Sequence, residues 1–203
     1  MYYGERLNSI SHLVGATLAL VALGALLTVI IHGSPLWILT VSMVLLYTMS
    51  TLYHSFHPPH LKRIFKVLDH VSIYLLIAGS YTPFMLVSTR EGNGFWILGL
   101  VWGLAVIGIL TEVLLKGKAV KVGQMVIYIA MGWACTLDID NIKAALPEEG
   151  YFWLFTGGIA YTAGIVFYVL DKMNKLNHAH GIWHFFVLVG SGAHFTAIIG
   201  YVR

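Results

Sequence analysis

The sequence predicts an all-α integral membrane protein, a bundle of seven transmembrane helices forming one domain over residues 1–203. Composition is the first reason. Only 10% of the residues are charged and 58% are hydrophobic, with mean hydropathy +0.80, whereas a globular domain carries about 25% charged residues. The second reason is the placement of charge. No Asp, Glu, Lys or Arg lies between Leu7 and Leu61, and none between Leu176 and Val202, while about 20 residues cross the hydrocarbon core. The third is economy of length: seven such spans with short loops use nearly the whole chain and leave no room for a soluble domain.

Each span follows from its breaks. The uncharged stretch from Leu7 to Leu61 is too long for one helix, and His32-Gly33-Ser34-Pro35 divides it, because Gly and Pro punctuate and Pro favours a helix start. The first span is expected at about 10–31 and the second at about 36–56, ended by Pro58-Pro59. The third runs over about 68–88, before the loop Arg90-Glu91-Gly92-Asn93-Gly94, and the fourth over about 95–115. The fifth is short, about 122–138, and precedes a polar loop from Asp138 to Gly150. The sixth covers about 151–170 and the seventh about 180–201, with ends good to about two to four residues. More spans follow the first apolar run, so it reads as a retained helix, not a cleaved signal. Trp37, Trp96, Trp153, Tyr151 and Tyr201 fall near span ends, where aromatic belts belong. Glycines inside the spans, including the Gly99–Gly103 pair, are expected to let helices pack closely within the bundle.

Basic residues orient the bundle. Arg6, Lys62, Arg63, Lys66, Lys116, Lys118, Lys121, Lys172 and Lys175 fall on one side, and only Arg90, Lys143 and Arg203 on the other. The first side is therefore expected inside, which makes the N-terminus cytoplasmic and the C-terminus external. A pI of about 8.9 reflects these orienting cations and does not point to nucleic acid. The single Cys135 excludes an intrachain disulfide.

Orientation then sorts the polar residues by depth. His180 and His184, one turn apart, open the charge-free seventh span and share a helix face. An intramembrane histidine is costly and is a site candidate by default. His54 ends the second span and Asp69 begins the third, both on the inner side. Three histidines and an aspartate from three helices thus fall in one layer. Three imidazoles plus water form the ligand set of a catalytic zinc site, and imidazole suits zinc. Zinc brings the pKa of a bound water to about 7. Asp69 can serve that water as a base, or simply cap its helix. Ser50, one turn before His54, can support the site, contact substrate, or bond its own backbone. His12 lies at a depth where it can back a ligand.

The remaining polar residues have plainer readings. Glu112 pairs with Lys116, and Asp171 with Lys175, at i+4 spacing. His57 and His60 are solvated, while His70 and His178 point away from the cluster. Other seven-helix chemistries fit less well. The seventh span has no lysine for a retinal Schiff base, and no second helix repeats the His180–His194 spacing that two haems need. A proton or ion transporter using intramembrane His and Asp stays open.

Three elements in order, Ser50-Thr51-Leu52-Tyr53-His54, Leu68-Asp69-His70-Val71-Ser72-Ile73-Tyr74 and His180-Gly181-Ile182-Trp183-His184, resemble the hemolysin III family of bacterial membrane proteins. The stretch Gly79-Ser80-Tyr81-Thr82-Pro83-Phe84 is similar too. That family is related to the progestin and adiponectin receptors and, more distantly, to the alkaline ceramidases. The resemblance spans essentially the whole chain. It implies seven helices, a cytoplasmic N-terminus, zinc on His54, His180 and His184, Asp69 at the zinc-bound water and Ser50 nearby. Through the ceramidases it implies a hydrolase of membrane lipid amides or esters. The family name implies instead a haemolytic or membrane-homeostasis protein, with zinc in a structural role.

Overall fold

The computed structural model describes residues 3–29, 35–89 and 92–202. The break at His32-Gly33-Ser34, the loop residues Arg90 and Glu91, and Arg203 lie outside them. After a 3-10 turn at Tyr3–Glu5 come α1 (Arg6–Val29), α2 (Trp37–Ser55) and α3 (Pro59–Pro83), then α4 (Gly94–Leu114) and α5 (Lys118–Trp133). The chain ends with α6 (Ile139–Ala145), α7 (Glu148–Lys172) and α8 (Ala179–Tyr201). Seven helical stretches among the described residues are long and apolar enough to cross a membrane, and the fifth, Lys118–Ala145, takes in both α5 and the short α6. No strand occurs among the described residues.

Local chemistry explains where these helices begin and end. Pro58-Pro59 closes α2, as expected, but it also opens α3, because proline suits the first turn of a helix. Helix α3 therefore starts at Pro59 and not near residue 68, and Lys62, Arg63 and Lys66 ride on it. Pro83 supplies no backbone N–H, and the helix widens into a π-helical turn at Phe84–Ser88. Gly117, with φ of +127°, makes the turn from α4 to α5 in backbone space that side chains rarely tolerate. The fifth span does not end in an open polar loop. A 3-10 turn at Ala134–Asp138 carries it into α6. There the Asp138 carboxylate accepts from the Asn93 backbone N–H and from the Asn93 and Asn141 side chains, closing that end of the bundle.

Successive spans pack side by side, and α8 closes the ring against α1. Helix α3 is the most enclosed span. Close contacts depend on small residues: Gly15 lies against Tyr47 and Leu188, Gly79 against Ser42, and Gly108 against the Tyr74 ring. The Gly99–Gly103 pair does not share this role. Helix α4 packs inward through Gly94, Ile97, Val101, Ala105, Gly108 and Glu112, at spacings of three and four. Gly99 and Gly103 fall on the opposite face, where an added Cβ would meet open space. Mid-bundle, the Tyr47 hydroxyl donates to Ser191 Oγ at 2.7 Å and Tyr161 meets the same oxygen at 2.8 Å, linking α2, α7 and α8. Interhelical hydrogen bonds of this kind contribute about 0.6 kcal/mol in membranes.

Candidate metal centre

The site lies at the lysine-rich end, where α2 finishes and α8 begins. His54 is in the last turn of α2, and His180 and His184 occupy the first turns of α8. His54 and His184 are buried and His180 nearly so. Ring centroids stand 5.1 Å apart for His54–His180, 5.1 Å for His54–His184 and 4.8 Å for His180–His184. One ring nitrogen from each lies within 4.8 Å of the others. No other cluster of three or more potential ligands occurs among the described residues.

Hydrogen bonding fixes which nitrogen each ring offers. His54 Nδ1 bonds the Glu5 carboxylate, and His180 Nδ1 bonds Asp171 at 3.2 Å. His184 Nδ1 lies 3.1 Å from the Asn8 carbonyl and 3.2 Å from Ser11 Oγ. Carboxylates and carbonyls only accept, so each Nδ1 carries the proton. Each Nε2 therefore holds a lone pair, and all three Nε2 atoms are buried without a partner among the described residues. Buried polar atoms are rarely left so. A divalent metal satisfies all three at once, and a ligand histidine typically donates its other N–H to a carboxylate or carbonyl, as here. Tetrahedral zinc sets such nitrogens about 3.3 Å apart. The rings need to close by at most about 1.5 Å, which side-chain torsions supply. The residues therefore fit a metal ion.

Charge continues outward from the histidines. Glu5 also meets Lys62 at 3.5 Å, and Asp171 meets Lys172 at 3.1 Å. The His54 hydrogen bond, against burial and with help from Asn8 and Lys62, holds the Glu5 carboxyl at about 2. Glu5 is thus an anion at any ordinary pH and keeps the His54 tautomer fixed.

Asp69 is buried on α3, beside Ser50 and within electrostatic reach of His54. It does not join the nitrogen cluster. Capping does not explain it, because α3 begins at Pro59 and Asp69 lies in the helix interior. The Ser50 hydroxyl is buried and bonds no backbone carbonyl among the described residues. His12 stacks flat on His184, with centroids 3.6 Å apart and planes 7° from parallel. It backs that ligand by ring contact, not by a hydrogen bond.

Two pairings differ from expectation. Asp171 binds Lys172 and His180 instead of Lys175, since α7 ends at Lys172 and the chain turns away. Glu112 binds His70 at 3.0 Å and Lys121 at 2.6 Å, not Lys116, because α4 stops at Leu114 and α5 approaches across the turn. His70 thus points away from the metal centre, as expected. His57, His60 and His178 are exposed. His194 lies apart from the cluster, its Nε2 donating to the Leu154 carbonyl at 3.2 Å. Sequence reading missed Glu5, Asn8 and Ser11. For Asn8 and Ser11 a signal was present, since Asn8, Ser9, Ser11 and His12 cluster at the start of an otherwise apolar span.

Comparison with known proteins bears on the family of the chain. The profile of the Haemolysin-III related family matches residues 2–195. Hemolysin-3 of Bacillus cereus is 39% identical over 207 residues, covering 98% of this chain and 91% of that protein. A Hemolysin-3 homolog of Bacillus subtilis (strain 168) is 37% identical over 203 residues, covering 97% and 93%. The human Monocyte to macrophage differentiation factor is 29% identical over 171 residues, covering 82% and 69%. With the family profile matched along nearly its whole length, the chain belongs to the Haemolysin-III related family, as a multi-pass membrane protein with a three-histidine cluster able to hold a metal ion.

Proposed function

We propose that this protein is a zinc-dependent hydrolase of a membrane lipid amide or ester, working from the cytoplasmic side of a bacterial cytoplasmic membrane. The observation that carries the reading is the convergence of three buried, unpartnered Nε2 atoms whose Nδ1 positions are all occupied. His54, His180 and His184 would hold the zinc. When bound, zinc supplies Lewis acidity that polarises a carbonyl and acidifies a water molecule. Asp69, buried beside the cluster, accepts a proton from the attacking water and passes it to the departing amine or alkoxide as the C–N or C–O bond breaks. Ser50 steadies the Asp69 carboxylate or the polar group of the lipid. The lysine-rich end faces the cytoplasm by the distribution of Lys and Arg, so N-terminus inside and C-terminus outside go with this reading.

A second reading makes the zinc structural, in a non-enzymatic haemolytic or membrane-homeostasis protein. The way the histidines and their partners fasten α1, α2, α7 and α8 at one end favours it, as do the names of the two Bacillus relatives.

Metal analysis of purified protein is the first test. The wild type is expected to carry about one zinc per chain, and His54→Ala and His184→Ala to lose it. A metal-free wild type sinks both readings. Asp69→Asn is expected to keep zinc while hydrolysis of a lipid amide and ester panel falls about 10²- to 10⁴-fold. A zinc-loaded wild type that leaves the panel untouched favours the structural reading.

A further inference from the structure

Toward the end of the bundle opposite the lysines, the structure holds a cavity of about 30 Å³. None of the three clustered histidines lines it. His194, which does, stands ten residues beyond His184, about 15 Å along α8. The inner wall is apolar and buried, with Phe84 and Met85 from the π-helical turn, and Ile142 of α6 and Leu146 cover one end. The side toward α5 and α7 is open. Its lining there includes Gly132, which is exposed, and Gly158, which is partly so. Among the described residues nothing lies within 4 Å of a Cβ added at either glycine. One turn further along α7 the two helices are joined, Trp133 Nε1 donating to Thr162 Oγ1 at 3.1 Å. Gly158 lies ten residues inside α7, about 15 Å from Glu148, so the opening meets acyl chains and not water.

Two polar atoms of this lining are unpaired. The His194 ring is buried beside Gly157, where an added Cβ would enter it, and stands edge-on to Tyr161 with centroids 5.4 Å apart. Its Nε2 donates to the Leu154 carbonyl at 3.2 Å, and a carbonyl only accepts, so Nδ1 holds a lone pair. That Nδ1 is buried with no partner among the described residues, and so is Ser88 Oγ, at the end of the π-helical turn. The Ser80, Tyr81 and Thr89 hydroxyls, by contrast, each donate to a backbone carbonyl. An unpaired buried acceptor is costly, and hydrocarbon has nothing to offer it.

The unpaired atoms specify a ligand. His194 Nδ1 only accepts, so the occupant must bring a proton on oxygen or nitrogen, and Ser88 Oγ can donate in return. An alcohol satisfies both with one atom. An ester or ketone brings no proton. An ammonium brings a charge that no carboxylate in the lining balances. A carboxylic acid has the right hydroxyl, but its proton passing to the imidazole would leave two charges in an apolar cavity. A water-sized group needs about 10–15 Å³, so the cavity admits a hydroxyl and its carbon, while an attached chain lies in the opening.

We propose that this cavity binds the hydroxyl end of an apolar lipid alcohol, which donates to His194 Nδ1 and accepts from Ser88 Oγ while its chain leaves between α5 and α7 into the bilayer. The site stands apart from the metal centre and does not depend on the hydrolase reading.

Photolabelling tests it. The full chain in phosphatidylcholine nanodiscs is irradiated with a long-chain alcohol bearing a diazirine a few carbons from the hydroxyl, with the matching methyl ether, or with the matching fatty acid. Labelled residues are mapped by mass spectrometry. The alcohol is expected to label the segments around Gly132 and Gly158 at least about fivefold more than the ether, the worth of one hydrogen bond to a buried group. His194→Phe, which keeps a ring but removes the acceptor, is expected to reduce alcohol labelling to the ether level. Ser88→Ala is expected to lower it roughly fivefold, and it keeps the test alive should His194→Phe fail to fold. Gly158→Leu, which fills the opening, is expected to abolish labelling, and Gly103→Leu, on the outward face of α4, to preserve it. Equal labelling by alcohol and ether in the wild type overturns the proposal and leaves a cavity that holds only water. Full labelling in Ser88→Ala and in a folded His194→Phe overturns it, as does equal loss in Gly158→Leu and Gly103→Leu. Stronger labelling by the fatty acid than by the alcohol overturns the alcohol assignment.

Discussion

His54, His180 and His184 each turn Nδ1 outward to an oxygen and Nε2 inward to the cluster. Two of those oxygens belong to carboxylates, Glu5 and Asp171. A carboxylate on Nδ1–H raises the basicity of the imidazole and fixes its tautomer. Glu5→Gln and Asp171→Asn are each expected to weaken zinc binding by roughly 10- to 100-fold, measured by competition with a chelator. Lys175→Gln, which removes a neighbouring charge outside this arrangement, serves as the control. Unchanged affinity in both carboxylate variants would mean that these contacts do not support a metal. The three histidines could be read from the sequence because His180 and His184 share a face and His54 shares their depth. Glu5 could not be, since 49 positions separate it from His54 and only the approach of α1 to α2 joins them. Asp171 was visible but wrongly paired. An i+4 rule holds only while the helix continues, and α7 ends at Lys172.

At the scale of elements, α3 carries the carboxylate and is the helix whose position matters most. Its contact with α4 is set by Gly108, where an added Cβ would enter the ring of the fully buried Tyr74. Tyr74 packs on Tyr128 with centroids 4.3 Å apart, and the Tyr128 hydroxyl donates to the His70 carbonyl, next to Asp69. The pair Glu112 and Lys121 grips His70 from the same side. Gly108→Ala is expected to cost about 1–3 kcal/mol by overpacking. That corresponds to a melting temperature lower by roughly 2–10 °C in detergent. Gly103→Ala, on the outward face, is expected to leave it unchanged. Equal melting of the two variants would contradict the close α3–α4 approach. Hydropathy found the apolar part of α3 but not its first turns, because Lys62, Arg63 and Lys66 resemble a loop. Pro59 and helical hydrogen bonding make them helix.

For the whole molecule, the arrangement of charge along the chain makes a claim about direction. Alkaline phosphatase fused after Arg203 is expected to be active, and fused after Lys175 inactive, because that enzyme works only outside the cytoplasm. The reverse result would place the metal centre on the outer side and remove the basis for a cytoplasmic substrate. The ring of spans, closed by α8 against α1, brings the first and last helices together. That closure lets Asn8 and Ser11 reach His184 across the full length of the chain.

Composition and the spacing of charge by themselves determined the seven-helix class, since a bilayer demands long uncharged spans regardless of how they pack. They also determined the layer in which His54, Asp69, His180 and His184 meet, because depth depends only on distance from a span end. Tertiary structure alone decided what each polar group faces around its helix. It assigned Glu5, Asp171 and Asn8 to the histidines, removed Asp69 from any capping role, and left His194 Nδ1 without a partner among the described residues. The reason is physical: depth is a one-dimensional property of the chain, whereas azimuth and partner choice depend on which helix lies alongside.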